Sequence, residues 1–193
     1  MEYNRELGIK LMEKYLSRED LWEKLRHSRA MGDFAYRIGE KIKHNSPEMG
    51  IDSELVAFVA YVHDIGSFVS HRMHELHTLD LLKNEGVPED IALKTVHGTF
   101  PERYENEPEK AKLYLPRGIE GMILSFADMS IRLGEPMSVE ERANEIITRM
   151  KTLPIEESRR VKIEGEIRKA LPRFFRYRDI IYSLAGVKSY KEF

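Results

Sequence analysis

Ala60-Tyr61-Val62-His63-Asp64-Ile65-Gly66 sets two metal-binding side chains next to each other at the end of an almost wholly apolar run. Upstream, Asp52 is a candidate N-cap. After it Leu55, Val56, Phe58, Val59, Ala60, Val62 and Ile65 leave hardly any polar face, which is the pattern of a helix buried on all sides. The stretch from Asp52 to Gly66 therefore predicts the central helix of the fold. An imidazole and a carboxylate placed there cost several kcal/mol unless they are paired or bound to a cation. A divalent metal ion meets that demand.

Working outward, the 193 residues with 41% hydrophobic content are enough for one domain with a substantial core. We expect a single unit over 1–193, with a core at about 18–133 and a C-terminal helical extension at about 134–193. A formal net charge of -2 provides no global field for nucleic acid or an anionic membrane, so neither is expected as the principal partner. With no cysteine in the chain, a metal must be held by nitrogen and oxygen ligands. The first residues, Met1 to Glu6, are charged and lead into no apolar run. No stretch approaches the ~20 apolar residues that span a bilayer. The expectation is a soluble, cytoplasmic protein. A charged content of 33% without Gln or Cys leans towards a heat-adapted source.

Turn signals fall between helical patterns all along the chain, predicting an all-α fold without a strand. A first helix is expected over Glu2 to Tyr15. A second, opened by a Ser17–Asp20 capping box, should run to Lys43 and carry His27. Beyond the central helix come a loop from Ser67 to Met73, a helix from His74 to Gly86, and another from Pro88 to His97, closed by Gly98. Pro101 to Lys112 reads as a long loop and candidate lid. Pro116 to Leu133 reads as a helix carrying Asp128. Ser138 with Glu141 forms a capping box for a helix to Lys151, and Pro154 and Pro172 bound two final segments. Ile146, Ile147 and Met150 supply a helix face for the core or for a second copy in a homo-oligomer.

His27 shares a helix face with Met31, Phe34 and Ile38 and so points into the core. Taken alone it reads as a buried imidazole satisfied by one carbonyl. Asp128, with Leu124 and Ile131 on its face, needs a strong partner; a paired arginine or a neighbouring helix N-terminus would serve as well as a metal. Together, His27, His63-Asp64 and Asp128 have the order, helical placement and wide spacing of the HD superfamily of metal-dependent phosphohydrolases, which residues 22 to 133 resemble. The stretch from His74 through Gly86-Val87-Pro88 to His97 is similar to the additional segment of the HDIG-type subgroup. Two departures stand in it: Thr78 occupies a position usually held by alanine or glycine, and Gly98, not a second histidine, follows His97.

The resemblance implies an HD-type helical bundle with one or two divalent ions. His27, His63, Asp64 and Asp128 would hold the first, and Asp64, His74 and His97 the second. His63 and Asp64 would form the catalytic centre. Such a donor set suits Mn, Fe, Co, Ni, Zn or Mg. His71, His77 and His44 read as accessory or surface residues. The implied reaction is hydrolysis of a phosphoester or phosphoanhydride of a nucleotide or other small phosphorylated metabolite by a metal-activated water. Charge developing on phosphorus calls for cationic donors, and Arg72, Lys94, Arg103, Arg117 and Arg132 fall in or near loops around the site. Two other readings are a non-catalytic metal-bearing module that binds a nucleotide or protein, and an RNA-associated phosphodiesterase. The missing basic surplus and aromatic platform count against the latter.

Overall fold

Asn4 caps the first helix, α1 (Arg5–Leu16), its side-chain oxygen accepting from the Leu7 N–H at 3.1 Å. The computed structural model describes residues 2–71, 73–98, 101–104 and 106–193, and of these all side chains except those of 102, 103 and 110. The fold is all-α. Helix α2 (Trp22–Asn45) follows a 3-10 turn at Glu19–Leu21. The expected Ser17–Asp20 capping box does not form. Ser17 closes α1, donating its N–H to Glu13, and the Arg18 guanidinium takes both Asp20 oxygens at 3.0 Å, leaving no carboxylate for the cap.

Helix α3 (Ser53–Val62) begins as expected, with Asp52 accepting from the N–H groups of Glu54 and Leu55 at 3.0 and 3.2 Å. It stops at Val62, and a 3-10 turn at Ile65–Phe68 replaces its predicted last turn. Helix α4 (His74–Asn84) ends before Gly86, and α5 (Glu89–Ala92) is far shorter than the predicted helix to His97. There the Thr95 hydroxyl bonds back to the Ala92 carbonyl at 2.7 Å within a 3-10 turn, and the chain is extended at Val96.

The predicted loop from Pro101 to Lys112 contains a 3-10 turn at Pro101–Tyr104 and a helix, α6 (Pro108–Leu113), whose proline sits in the first turn where it needs no N–H partner. Helix α7 (Gly118–Asp128) ends five residues earlier than expected. Two short strands, β1 (Ile131–Arg132) and β2 (Glu135–Pro136), then pair antiparallel, correcting the strand-free expectation. Their turn residues, Leu133 and Gly134, both have positive φ, the geometry that two-residue hairpins require. The Ser138–Glu141 capping box opens α8 (Val139–Thr152) as expected. Helix α9 (Glu157–Ala185) runs straight through Pro172 where a boundary was expected. Ile167 and Ala170 before the proline and Phe174, Ile181 and Ala185 after it are all buried, and this packing on both sides offsets the lost hydrogen bond.

Every residue of α3 from Val56 to Val62 is buried. The helix packs against α1, α2 and α7, as its apolar sequence demands. α2 approaches it so closely that a Cβ on Gly32 would lie 2.3 Å from the Tyr61 ring. α9 covers α2 and α7 and carries α8 with it. Ile146 and Ile147 are partly buried against the core. Among the described residues no helix is long and apolar enough to cross a membrane.

Candidate metal centre

At the end of α3 the two decisive side chains are buried, His63 completely and Asp64 at 2% exposure. The His63 Nδ1–H donates to the Ala60 carbonyl at 2.7 Å, which leaves Nε2 with its lone pair free. That Nε2 is buried and has no hydrogen-bond partner. Burial pushes the His63 pKa down to about 3, so the ring stays neutral. A neutral imidazole oriented by a backbone carbonyl, with its second nitrogen unpartnered, is the arrangement of a metal ligand.

Asp64 uses both oxygens. Oδ2 accepts from Lys24 Nζ at 2.7 Å, and Oδ1 lies 3.1 Å from His74 Nε2. Burial alone would raise the Asp64 carboxyl, but the Lys24 charge, together with the charge and hydrogen bond of His74, outweighs it and holds the group well below the usual range. The reciprocal effect acts on His74: burial works to lower it, and the Asp64 carboxylate prevails and raises it. Lys24, from α2, is the cation that the carboxylate recruits.

His27 Nε2 lies 3.0 Å from Asp128 Oδ1, joining α2 to the last residue of α7. Burial would raise the Asp128 carboxyl, but the His27 hydrogen bond, with the imidazoles of His97 and His27 close by, holds it far below the normal range. His74 and His97 meet at 3.4 Å between their Nε2 atoms, although His97 stands on extended chain and not at a helix end. Met73, with φ of 55°, precedes His74 and turns α4 into the site. Gly66 makes that approach possible, since a Cβ there would lie 2.0 Å from the His74 carbonyl oxygen. The Thr78 hydroxyl accepts from the Gly66 N–H and donates to the His63 carbonyl, each at 2.9 Å.

Two sets of donors result, His27–His63–Asp64 and Asp64–His74–His97, each with its atoms within 4.8 Å of one another. Asp64 is common to both. The orphaned His63 Nε2, the shared carboxylate and the Lys24 ammonium held on it fit this nitrogen-and-oxygen set to one or two divalent cations. Asp128 adjoins the first set through His27.

The centre lies on a cleft of about 750 Å³ lined by Lys24, His27, Asp64, His74, His97 and Asp128. Of the predicted cationic contacts, Arg132 lines this cleft. Lys94 is paired with Glu120 at 2.9 Å, and neither Lys94 nor Arg117 is part of the lining. Arg72 and the side chain of Arg103 lie outside the described residues. The exposed His71 also reaches the cleft, and His44 is on the surface.

Sequence reasoning missed four side chains. Lys24 lies three residues before His27, a spacing that puts both on one face of α2. Arg142 and Arg149 line the cleft from α8, and only tertiary packing brings them there. Glu75 follows His74 and is buried, with Oε1 3.4 Å from His97 Nε2 and Oε2 unpartnered. A family model for the HD domain matches residues 25–132, more than half of the chain. No curated protein and no solved structure matches it.

Proposed function

The chain belongs to the HD-domain family, and from that premise we propose that it is a phosphohydrolase acting on a nucleotide or another small phosphorylated metabolite. The family in general includes metal-dependent phosphohydrolases. One observation carries the reading: Asp64 belongs to two sets of donors at once, on a cleft with arginines on its lining. His27, His63, Asp64 and Asp128 would hold one ion, and Asp64, His74 and His97 another. Bound there, a divalent cation lowers the pKa of a coordinated water and polarises a phosphoryl oxygen.

The chain's own residues prepare that chemistry. His63 is held neutral with Nε2 facing the site, so no proton has to leave it before a ligand bond forms at neutral pH. Asp128 remains ionised beside His27. Lys24, held on Asp64, provides a cationic donor for the negative charge that accumulates on the phosphoryl oxygens.

The deciding experiment measures metal content and then hydrolysis of a panel of phosphorylated compounds with Mn, Fe, Co, Ni, Zn or Mg added to metal-stripped protein. We expect metal-dependent release of phosphate from at least one nucleotide. Asp128→Ala should lose the first ion, with His74→Ala and His97→Ala each reducing the content towards one ion per chain. Bound metal without turnover of any compound would favour the non-catalytic module. Unchanged metal content in Asp128→Ala would reassign that carboxylate as a structural partner of His27.

A further inference from the structure

Arg142, Glu145, Ile146 and Arg149 recur at helical spacing on α8, and Arg142, Ile146 and Arg149 line the cleft that holds His27, Asp64 and Asp128. Arg132 joins them from β1. All three guanidiniums turn to one carboxylate. Arg132 Nε and Arg149 Nε each lie 3.1 Å from Glu145 Oε1, and Arg142 pairs with Oε2. Among the described residues this cluster therefore carries two positive charges in excess. Its centre is sheltered, the Arg142 and Glu145 side chains being 14% and 12% exposed, and Arg142 Nε is buried without an acceptor.

A purely structural role accounts poorly for this arrangement. One arginine suffices to pair Glu145, exposed ion pairs contribute little to stability, and gathering two more like charges opposes folding. Arginine forks matched to a tetrahedral anion relieve that repulsion; without an anion Glu145 hydrogen-bonds Arg142 alone, and its Oε1 lies near Arg132 and Arg149 without a hydrogen bond to either. The arginines share the lining of one cleft with Lys24 and Asp64, so an anion held by them would lie in the same cavity as the metal centre.

We propose that Arg132, Arg142 and Arg149 form a second anion subsite, and that the substrate is a metabolite with two or more phosphate groups, one at the metal centre and another at these arginines. The substrate half rests on the hydrolase reading above; the subsite does not. Trp22, the sole tryptophan of the chain, lines the same cleft and is 51% exposed, so its fluorescence reports on occupancy.

The test titrates metal-stripped protein with inorganic pyrophosphate, followed by Trp22 fluorescence and by calorimetry. Saturable binding is expected, weakened tenfold or more in Arg142→Met and in Arg149→Met. The second variant alters a half-exposed side chain and keeps the test valid if the first does not fold. Absence of binding in the wild type, or equal affinity in folded variants, overturns the subsite. With metal restored, the ratio of kcat/KM for a nucleoside triphosphate to that for p-nitrophenyl phosphate should fall at least tenfold in the same variants. An unchanged ratio overturns the substrate class. Arginine-dependent pyrophosphate binding in a protein that hydrolyses neither compound leaves the subsite standing and defeats the hydrolase reading.

Discussion

The Lys24 ammonium sits on Asp64 Oδ2, the oxygen 3.5 Å from His63 Nε2, so an ion held there by Asp64 and His63 would have to displace it. The ammonium at 2.7 Å compensates a buried carboxylate, and removing it leaves that charge unpaired. The Lys24 side chain is 34% exposed, so solvent screens part of the effect and the cost to metal-free Lys24→Met should be about 1–3 kcal/mol. Metal binding to the variant should tighten, because no ammonium has to be displaced. Denaturant unfolding with and without chelator, together with calorimetric metal titration, measures both; weaker metal binding would make Lys24 an aid to the ion and not its competitor. A second prediction concerns pH. His74 is raised in the fold, so in metal-free protein its protonated form contributes stability that is fully present below the unfolded value of about 6.5 and lost as pH rises through the folded one. The ion needs the deprotonated ring. Metal affinity should therefore climb over that same window, and the climb should flatten in His74→Ala. His63, already neutral down to about 3, adds no such dependence. Metal titrations across pH 6 to 9, a range set about the reference His value, give the comparison.

At the scale of elements, the junction between the end of α3 and the start of α4 is where backbone packing sets ligand geometry. A methyl group on Gly66 has no room, because the nearest obstacles, the His74 carbonyl oxygen at 2.0 Å and the Thr78 nitrogen at 2.5 Å, are backbone atoms. Gly66→Ala should destabilise the protein by at least about 1–3 kcal/mol and reduce metal content, since relief of the clash pushes α4 and His74 away from Asp64. Gly165 on α9 is the contrasting case. A methyl group added there would meet nothing within 4 Å, and the residue sits inside a helix, so Gly165→Ala should stabilise by about 0.5–1 kcal/mol with metal content unchanged. Thermal melts and metal analysis of the two variants, prepared side by side, test the difference in sign.

Across the whole molecule, the candidate metal centre draws on α2, α3, α4 and the segment after α5, with Asp128 of α7 joined to it through His27, so an ion bound there would tie together elements far apart in sequence. Ligand bound only to the native state stabilises it by about 2.7 kcal/mol at a hundred times its Kd. Chelation should lower Tm without abolishing the cooperative melt, because the core around α3 consists of apolar side chains that need no ion. Calorimetry with and without chelator and after re-addition of metal measures this; a Tm indifferent to metal would contradict the centre. α9 binds its partners differently, through buried Ile167, Phe174 and Ile181, and through Arg173, which donates to the Gly98 carbonyl at 2.8 Å next to His97.

By itself the sequence determined the all-α class, the buried α3 with its Asp52 cap and the α8 capping box, and it singled out His27, His63, Asp64 and Asp128 as candidates, which the fold brings close together. These are legible because periodicity, capping and the cost of burying charge are local properties. The pairing of His74 with His97 was also reached from the sequence, although the assumed helix from Pro88 to His97 is cut short by the Thr95 back-bond. Helix ends were less legible: Pro172 lies inside α9 because long-range packing outweighs one missing hydrogen bond, and Ser17 loses its box because Arg18 claims Asp20. Only the tertiary structure decided which cations face the cleft. Lys94 turns to Glu120, whereas Lys24, Arg142 and Arg149 reach the lining from α2 and α8. A charged side chain carries no sequence mark of what it faces; its partner is chosen by the packing of helices that lie distant along the chain.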